Sequence, residues 1–147
     1  MTVCFDTNVL IYAFTPGDPR HDMAASIVTQ LSARGGPLPL QVLREFLAVA
    51  HRKRFLPLDA ACEAVTTLDK RFEIRTAGVA EMASASRMAS EHQLNFYDAM
   101  ICIVARDAGA GVLLSEDMTD GAVLDGLHIL NPFAGSNRKM LASLSLT

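Results

Sequence analysis

Two short apolar runs, each ending on an acid, most constrain what this chain can fold into. Residues 2 to 5 lead into Asp6, and residues 112 to 115 (VLLS) lead into Glu116 and Asp117. Runs this short and apolar predict buried strands with carboxylates at their C-terminal ends. Between them, apolar residues recur with a helical period over residues 19 to 34, 41 to 54, 59 to 71, 79 to 92 and 96 to 108. The punctuation agrees: Gly35-Gly36 and Gly109 close the first and last of these helices, and Pro57 with Asp59 opens the third. Residues 38 to 40, 73 to 76 and 127 to 130 are shorter strand candidates. Strands alternating with helices predict an α/β domain with a mainly parallel sheet, because parallel strands need crossover helices. Ligands in such sheets bind beyond the C-terminal strand ends, which would bring Asp6 and Asp117 together.

Four acids stand out against this frame. Asp98 opens the segment NFYDAMICIVARDAG, a helix apolar nearly all round, and shares its face with Ile101, Cys102 and Ala105. A carboxylate in a first turn also satisfies free backbone N–H groups, so a capping role competes with a ligand role. Glu45 borders the apolar stripe of QVLREFLAVAHRK, with Val42 and Val49 beside it and Arg44 pointing away. Taken alone it reads as a solvated glutamate; company gives it weight. Asp6 begins DTNVLIYAF, where Asp, Thr and Asn could equally form a turn that starts a helix. Asp117, in LLSEDMTDG, competes with Glu116 and Asp120, and a strand exit rich in Asp and Gly is also an ordinary turn signal.

Composition narrows the classes. A chain of 147 residues, half hydrophobic and a fifth charged, suits one domain with an adequate core. Asp6 interrupts the first apolar stretch and no later run is long enough to span a bilayer, so a soluble cytoplasmic protein without a membrane partner is expected. Cys4, Cys62 and Cys102 are widely spaced among apolar residues and read as reduced core residues. The four histidines show no HExxH or similar spacing, which argues against zinc. A net charge of −3 counts against a nucleic-acid partner only until the four acids are set against a cation, when the remainder turns slightly positive. The best basic stretch is His51-Arg52-Lys53-Arg54 with Arg44 nearby, although cations also favour helix C-termini through the dipole.

With these pieces assembled, the chain resembles the PIN-domain family and, within it, the VapC-type ribonuclease toxins of toxin–antitoxin pairs. The resemblance rests on DTNVLIYAF, the Glu45 helix, NFYDAMICIVARDAGAGVLLSEDMTDG and the closing LHILNPF, in order along nearly the whole chain. It implies a three-layer α/β/α sandwich with a central, mainly parallel sheet of four to five strands. Residues 1–134 would form the nuclease domain and 135–147 a loosely held tail. It also implies that Asp6, Glu45 and Asp98 are metal ligands and catalytic, with Asp117 in the fourth acidic position, Asp120 a secondary candidate and Glu116 a weaker one. Asn8 and Ser115 match positions that support the acids by hydrogen bonding.

Hard carboxylate oxygens without thiolates or imidazoles favour Mg²⁺ or Mn²⁺. The expected activity is metal-dependent hydrolysis of RNA phosphodiesters, by one metal ion or two. The resemblance further implies a homodimer and a cognate VapB-like antitoxin laid over a hydrophobic groove, to which Ile27, Val28 and Leu31 could contribute, although burial in the protein's own core explains them equally well. Two rival readings remain: a PIN-fold RNA- or protein-binding module without activity, and a phosphatase using Asp6 as nucleophile. The phosphatase family expects a second Asp two positions on, where this chain has Asn8.

Overall fold

A computed structural model describes residues 1–147. The apolar runs form β1 (Val3–Phe5) and β4 (Val112–Leu114), which pair in parallel with Cys4 opposite Leu113. β6 (Leu127–Leu130) adds in parallel on the far side of β4, and β5 (Val123–Leu124) closes the edge antiparallel to β6. The sheet order is therefore β1-β4-β6-β5. Every residue of β1 and β4 is buried, which requires cover on both faces. A second parallel pair, β2 (Pro37–Pro39) with β3 (Glu73–Arg75), lies beside β1, where the Cys4 thiol donates to the Pro37 carbonyl at 3.1 Å. The four-stranded, mostly parallel sheet and its helical cover match the expected α/β fold.

The predicted helices appear as α2 (His21–Arg34), α3 (Leu40–Lys53), α4 (Leu58–Arg71), α5 (Val79–His92) and α6 (Phe96–Asp107). α2 stops where expected because Gly35 takes the left-handed conformation, φ 69°, and returns its N–H to the Leu31 carbonyl. α6 buries Ala99, Ile101, Cys102, Ile103, Val104 and Ala105, which accounts for its apolar periphery. The core joins Phe5, Leu10, Ile27, Leu38, Phe46, Leu113 and Ile129, all essentially inaccessible. No helix is long and apolar enough to cross a membrane.

Three elements depart from the sequence reading. α1 (Thr7–Ala13) follows β1 directly, so the turn suggested by DTN is the start of a true helix, with Asp6 as its N-cap. β5 was not anticipated; two residues carry too little pattern to register. The tail, expected to be loose, forms a 3₁₀ turn and α7 (Arg138–Ser143), and buries Leu141 and Leu146 in the main core. Arg34 holds it from α2 by donating to the carbonyls of Leu144 and Ser145 at 2.9 and 2.8 Å. Cys62 also differs, since it lies exposed on α4 whereas Cys4 and Cys102 are buried.

Leu141→Ala removes a side chain 2 % exposed and is expected to cost about 2–3 kcal/mol of stability. Urea unfolding checks this; a midpoint equal to that of the parent chain would mean that the tail is not part of the cooperative unit.

Candidate metal centre

Asp6 caps α1 at the C-terminal end of β1, and both of its oxygens are committed. Oδ1 accepts from the Thr7 N–H at 2.7 Å, while Oδ2 accepts from the Ser115 hydroxyl at 2.7 Å and the Asn8 amide at 3.2 Å. The capping reading of Asp6 thus holds, and the same carboxylate lies among the other candidate acids. The residue is 3 % exposed. Burial pushes its carboxyl up to about 7, against the pull of the Ser115 and Thr7 hydrogen bonds and with smaller pushes from the charges of Asp98 and Glu45.

Asp98 lies in the first turn of α6, but Asn95 performs the capping there by accepting from the Tyr97 N–H at 2.8 Å. The Asp98 carboxylate is left free of protein donors. Partial burial raises its pKa, and the charges of Glu45 and Asp117 raise it further. Cys102 lies one helical turn further on; burial, with added pushes from Asp6 and Asp98, raises its thiol to about 12 and keeps it protonated.

Glu45, half-buried on α3, accepts from the Thr7 hydroxyl at 2.6 Å and from the Gln41 amide at 3.3 Å. Asp117 is exposed just beyond β4 and accepts from the Asn8 amide at 3.1 Å. One amide group, that of Asn8, therefore touches both Asp6 and Asp117, and stands 3.5 Å from the Ser115 hydroxyl. The four acids gather at the C-terminal edge of the sheet, and none of them is paired with an arginine or lysine.

The rivals of Asp117 are occupied elsewhere. Glu116 accepts from the Tyr12 hydroxyl and from Arg20 Nη1, both at 2.7 Å, and Arg20 also forks onto Asp18 at 2.9 Å. The same guanidinium lies 3.8 Å from the centre of the Tyr12 ring. Asp120 anchors the tail instead, accepting from the Asn131 N–H and the Asn137 amide. Thr7, Tyr12 and Arg20 were not singled out from sequence. Thr7 sits in the quoted DTN and could have been flagged, whereas nothing local in the PGDPR loop marks Arg20.

As a cation site the cluster is open. The oxygens of these four acids are not drawn within 4.8 Å of one another in any set of three; only Glu91, His92 and Asp125 reach that spacing. That second group is exposed at the opposite, N-terminal edge of the parallel strands, and Arg106 already holds Asp125 at 3.1 Å. Four converging carboxylates without a basic partner nevertheless fit a hard divalent cation, which binds few protein oxygens and keeps several waters. The open spacing leaves room for those waters and for substrate.

A model of the PIN domain family matches residues 3–118. No curated protein matches the chain. Among solved structures, the sarcin–ricin-loop-cleaving toxin VapC20 of Mycobacterium tuberculosis shares 20% identity, covering 79% of this chain and 92% of that one with a TM-score of 0.64. A toxin–antitoxin complex from Klebsiella pneumoniae shares 20% identity over 90% of this chain and 98% of that one, TM-score 0.67. DNA-bound VapBC from Salmonella typhimurium shares 16% over 90% and 98%, TM-score 0.66. At these identities the likeness is one of fold.

The raised carboxyl of Asp6 has a signed consequence for stability. Its folded-state value, about 7, lies above the ordinary 3.8. The stability it contributes is therefore complete below about pH 4 and is lost as the pH rises to 7. Asp6→Asn keeps an oxygen for the Thr7 N–H and removes the charge, so it is expected to raise the melting temperature of the metal-free protein by roughly 5 °C at pH 8. The gain should vanish near pH 4. A variant that melts at or below the parent at pH 8 would show that the buried charge costs the fold nothing.

Proposed function

The chain belongs to the PIN-domain family, and on that premise we propose that it is a Mg²⁺- or Mn²⁺-dependent ribonuclease of the VapC type, hydrolysing RNA phosphodiesters. The observation that carries the reading is the convergence of Asp6, Glu45, Asp98 and Asp117 with no basic side chain to neutralise them. A cation bound there would polarise a phosphoryl oxygen and acidify water for in-line attack.

The chain's own residues prepare this. Asp98 offers a carboxylate without protein donors from the first turn of α6, and Asp6 offers remaining lone pairs from the end of β1. Glu45 faces them from α3, where the Thr7 hydroxyl fixes one of its oxygens. Asn8 holds Asp117 in relation to Asp6. Asn8 and Ser115 therefore act as positioning residues, through the acids they touch. An aspartyl-phosphate mechanism is poorly served, because an Asp6 nucleophile would be 3 % exposed with both oxygens already accepting hydrogen bonds.

The toxin–antitoxin complexes among the structural relatives support a small antitoxin as the regulatory partner. The cleft between α2 and α4, about 580 Å³ and lined by Phe14, Val28 and Leu68 together with polar residues, is a partly apolar surface of the kind such a partner covers. Of the three residues expected in a groove only Val28 lines it, Ile27 and Leu31 being buried in the core. Assembly as a homodimer belongs to the same reading.

With labelled RNA, cleavage is expected with Mg²⁺ and none with EDTA. Asp98→Asn should lower the rate at least about 100-fold, and Thr7→Val, which only releases Glu45, about tenfold. Retention of RNA without cleavage would mark a binding module, and Mg²⁺-dependent cleavage by Asp98→Asn would remove that residue from the centre. Expression from the native locus should co-purify a short protein encoded in the adjacent reading frame; a chain that purifies alone under those conditions would count against the antitoxin.

A further inference from the structure

Two clefts adjoin the acids, of about 280 and 370 Å³. Both are lined by Asn8, Ile11, Val49 and Asp117, so they form one trough that leaves the acidic cluster between α1 and α3. Glu45 and Arg52 line the first cleft, and Lys53 and Phe55 line the second. On α3, Glu45, Ala48, Val49 and Arg52 follow at spacings of three, four and seven, which places them on one face. The trough thus runs from carboxylates over an apolar floor to two cations and an aromatic ring.

The charges along it are arranged with a sense. Asp18 also borders the second cleft, but Arg20 forks onto it, and Arg20 likewise answers Glu116. Arg52 and Lys53 are exposed and, like most basic residues of the chain, enter no ion pair, so both charges are free to meet a ligand. The helix dipole explains why cations gather at the end of α3. Two of them also border the trough, on the path a strand leaving the acids would take. A cationic groove beside an aromatic side chain is the arrangement that holds a single nucleic-acid strand, with phosphates on the cations and a base against the ring.

We propose that this trough carries the nucleotides flanking the scissile phosphate on one side, with Arg52 and Lys53 binding their phosphates and Phe55 meeting a base. The inference rests on the ribonuclease reading and adds to it a strand path and three contact residues.

The test uses the full-length Asp98→Asn protein with Mg²⁺ and a fluorescent, unpaired RNA of about 12 nucleotides, so that binding is read apart from cleavage. Arg52→Ala/Lys53→Ala is expected to weaken binding about tenfold and to reduce the slope of log K against log salt by about 1.4, or 0.7 per lost phosphate contact. Phe55→Leu removes the ring but keeps an apolar side chain against Phe46, and should weaken binding several-fold with the salt slope unchanged. Arg138→Ala/Lys139→Ala removes the same charge from α7 and should leave both quantities as they were. Equal losses in the two double variants would reduce the effect to net charge and overturn the proposal. If the parent chain cleaves RNA while Arg52→Ala/Lys53→Ala keeps full affinity and slope, the trough is excluded and the nuclease reading stands. If the parent neither cleaves nor binds any RNA, both fall. An acidic peptide of equal charge that binds as tightly as the RNA would reassign the trough to a protein partner. Unchanged melting temperatures of the variants keep a folding defect out of the comparison.

Discussion

The carboxylate of Asp6 is buried at the mouth of a hydrophobic sheet, where desolvation alone favours its protonated form, and its surroundings are arranged around that cost. The Thr7 N–H, the Ser115 hydroxyl and the Asn8 amide converge on it from the start of α1 and the exit of β4. Those donors do more than solvate a charge. Since Ser115 and Asn8 belong to different ends of the chain, the same hydrogen bonds set the distance between the two strand exits, and with it the places of Asp117 and Glu116. Thr7 extends the arrangement to α3 through Glu45.

Neutralisation elsewhere in the loop is selective. Glu116 and Asp18 are answered by Arg20, and Asp120 is spent on amides of the tail, while the central acids crowd together without a counter-charge. Such a distribution is costly to a chain that holds nothing at that spot and sensible for one that binds a cation there. Two exposed cations without an ion pair, Arg52 and Lys53, stand along the path leading away from those acids.

Much of this was legible in the sequence because short apolar strands and amphipathic helices announce themselves by period. The five long helices fell within one or two residues of their predicted limits, and β1, β4 and β6 were in place. α1 was legible only as a helix start, since its seven residues are too few to show a clear face and four of them are buried. The tail read as loose because GSN is a turn signal, while the leucines that dock it, Leu141 and Leu146, are isolated. Among the candidate residues, the ambiguity at Asp98 came from its position in a first turn; Asn95 does the capping there, which leaves the Asp98 carboxylate without that local role. The different surroundings of Glu116, Asp117 and Asp120 were beyond any local pattern, because they depend on partners contributed by Arg20, Asn8 and Asn137 from distant segments.

The pairing of the first strand with β4 also orders events during synthesis. Asp6 and Glu45 leave the ribosome well before Asp98 and Asp117, and β1 has no parallel neighbour in the main sheet until β4 exists. A parallel pairing across so long an interval is slow to close and cannot form piecemeal. A nascent chain therefore carries its first acids without a centre, and whatever chemistry the assembled edge performs begins only once β4 has been made and paired.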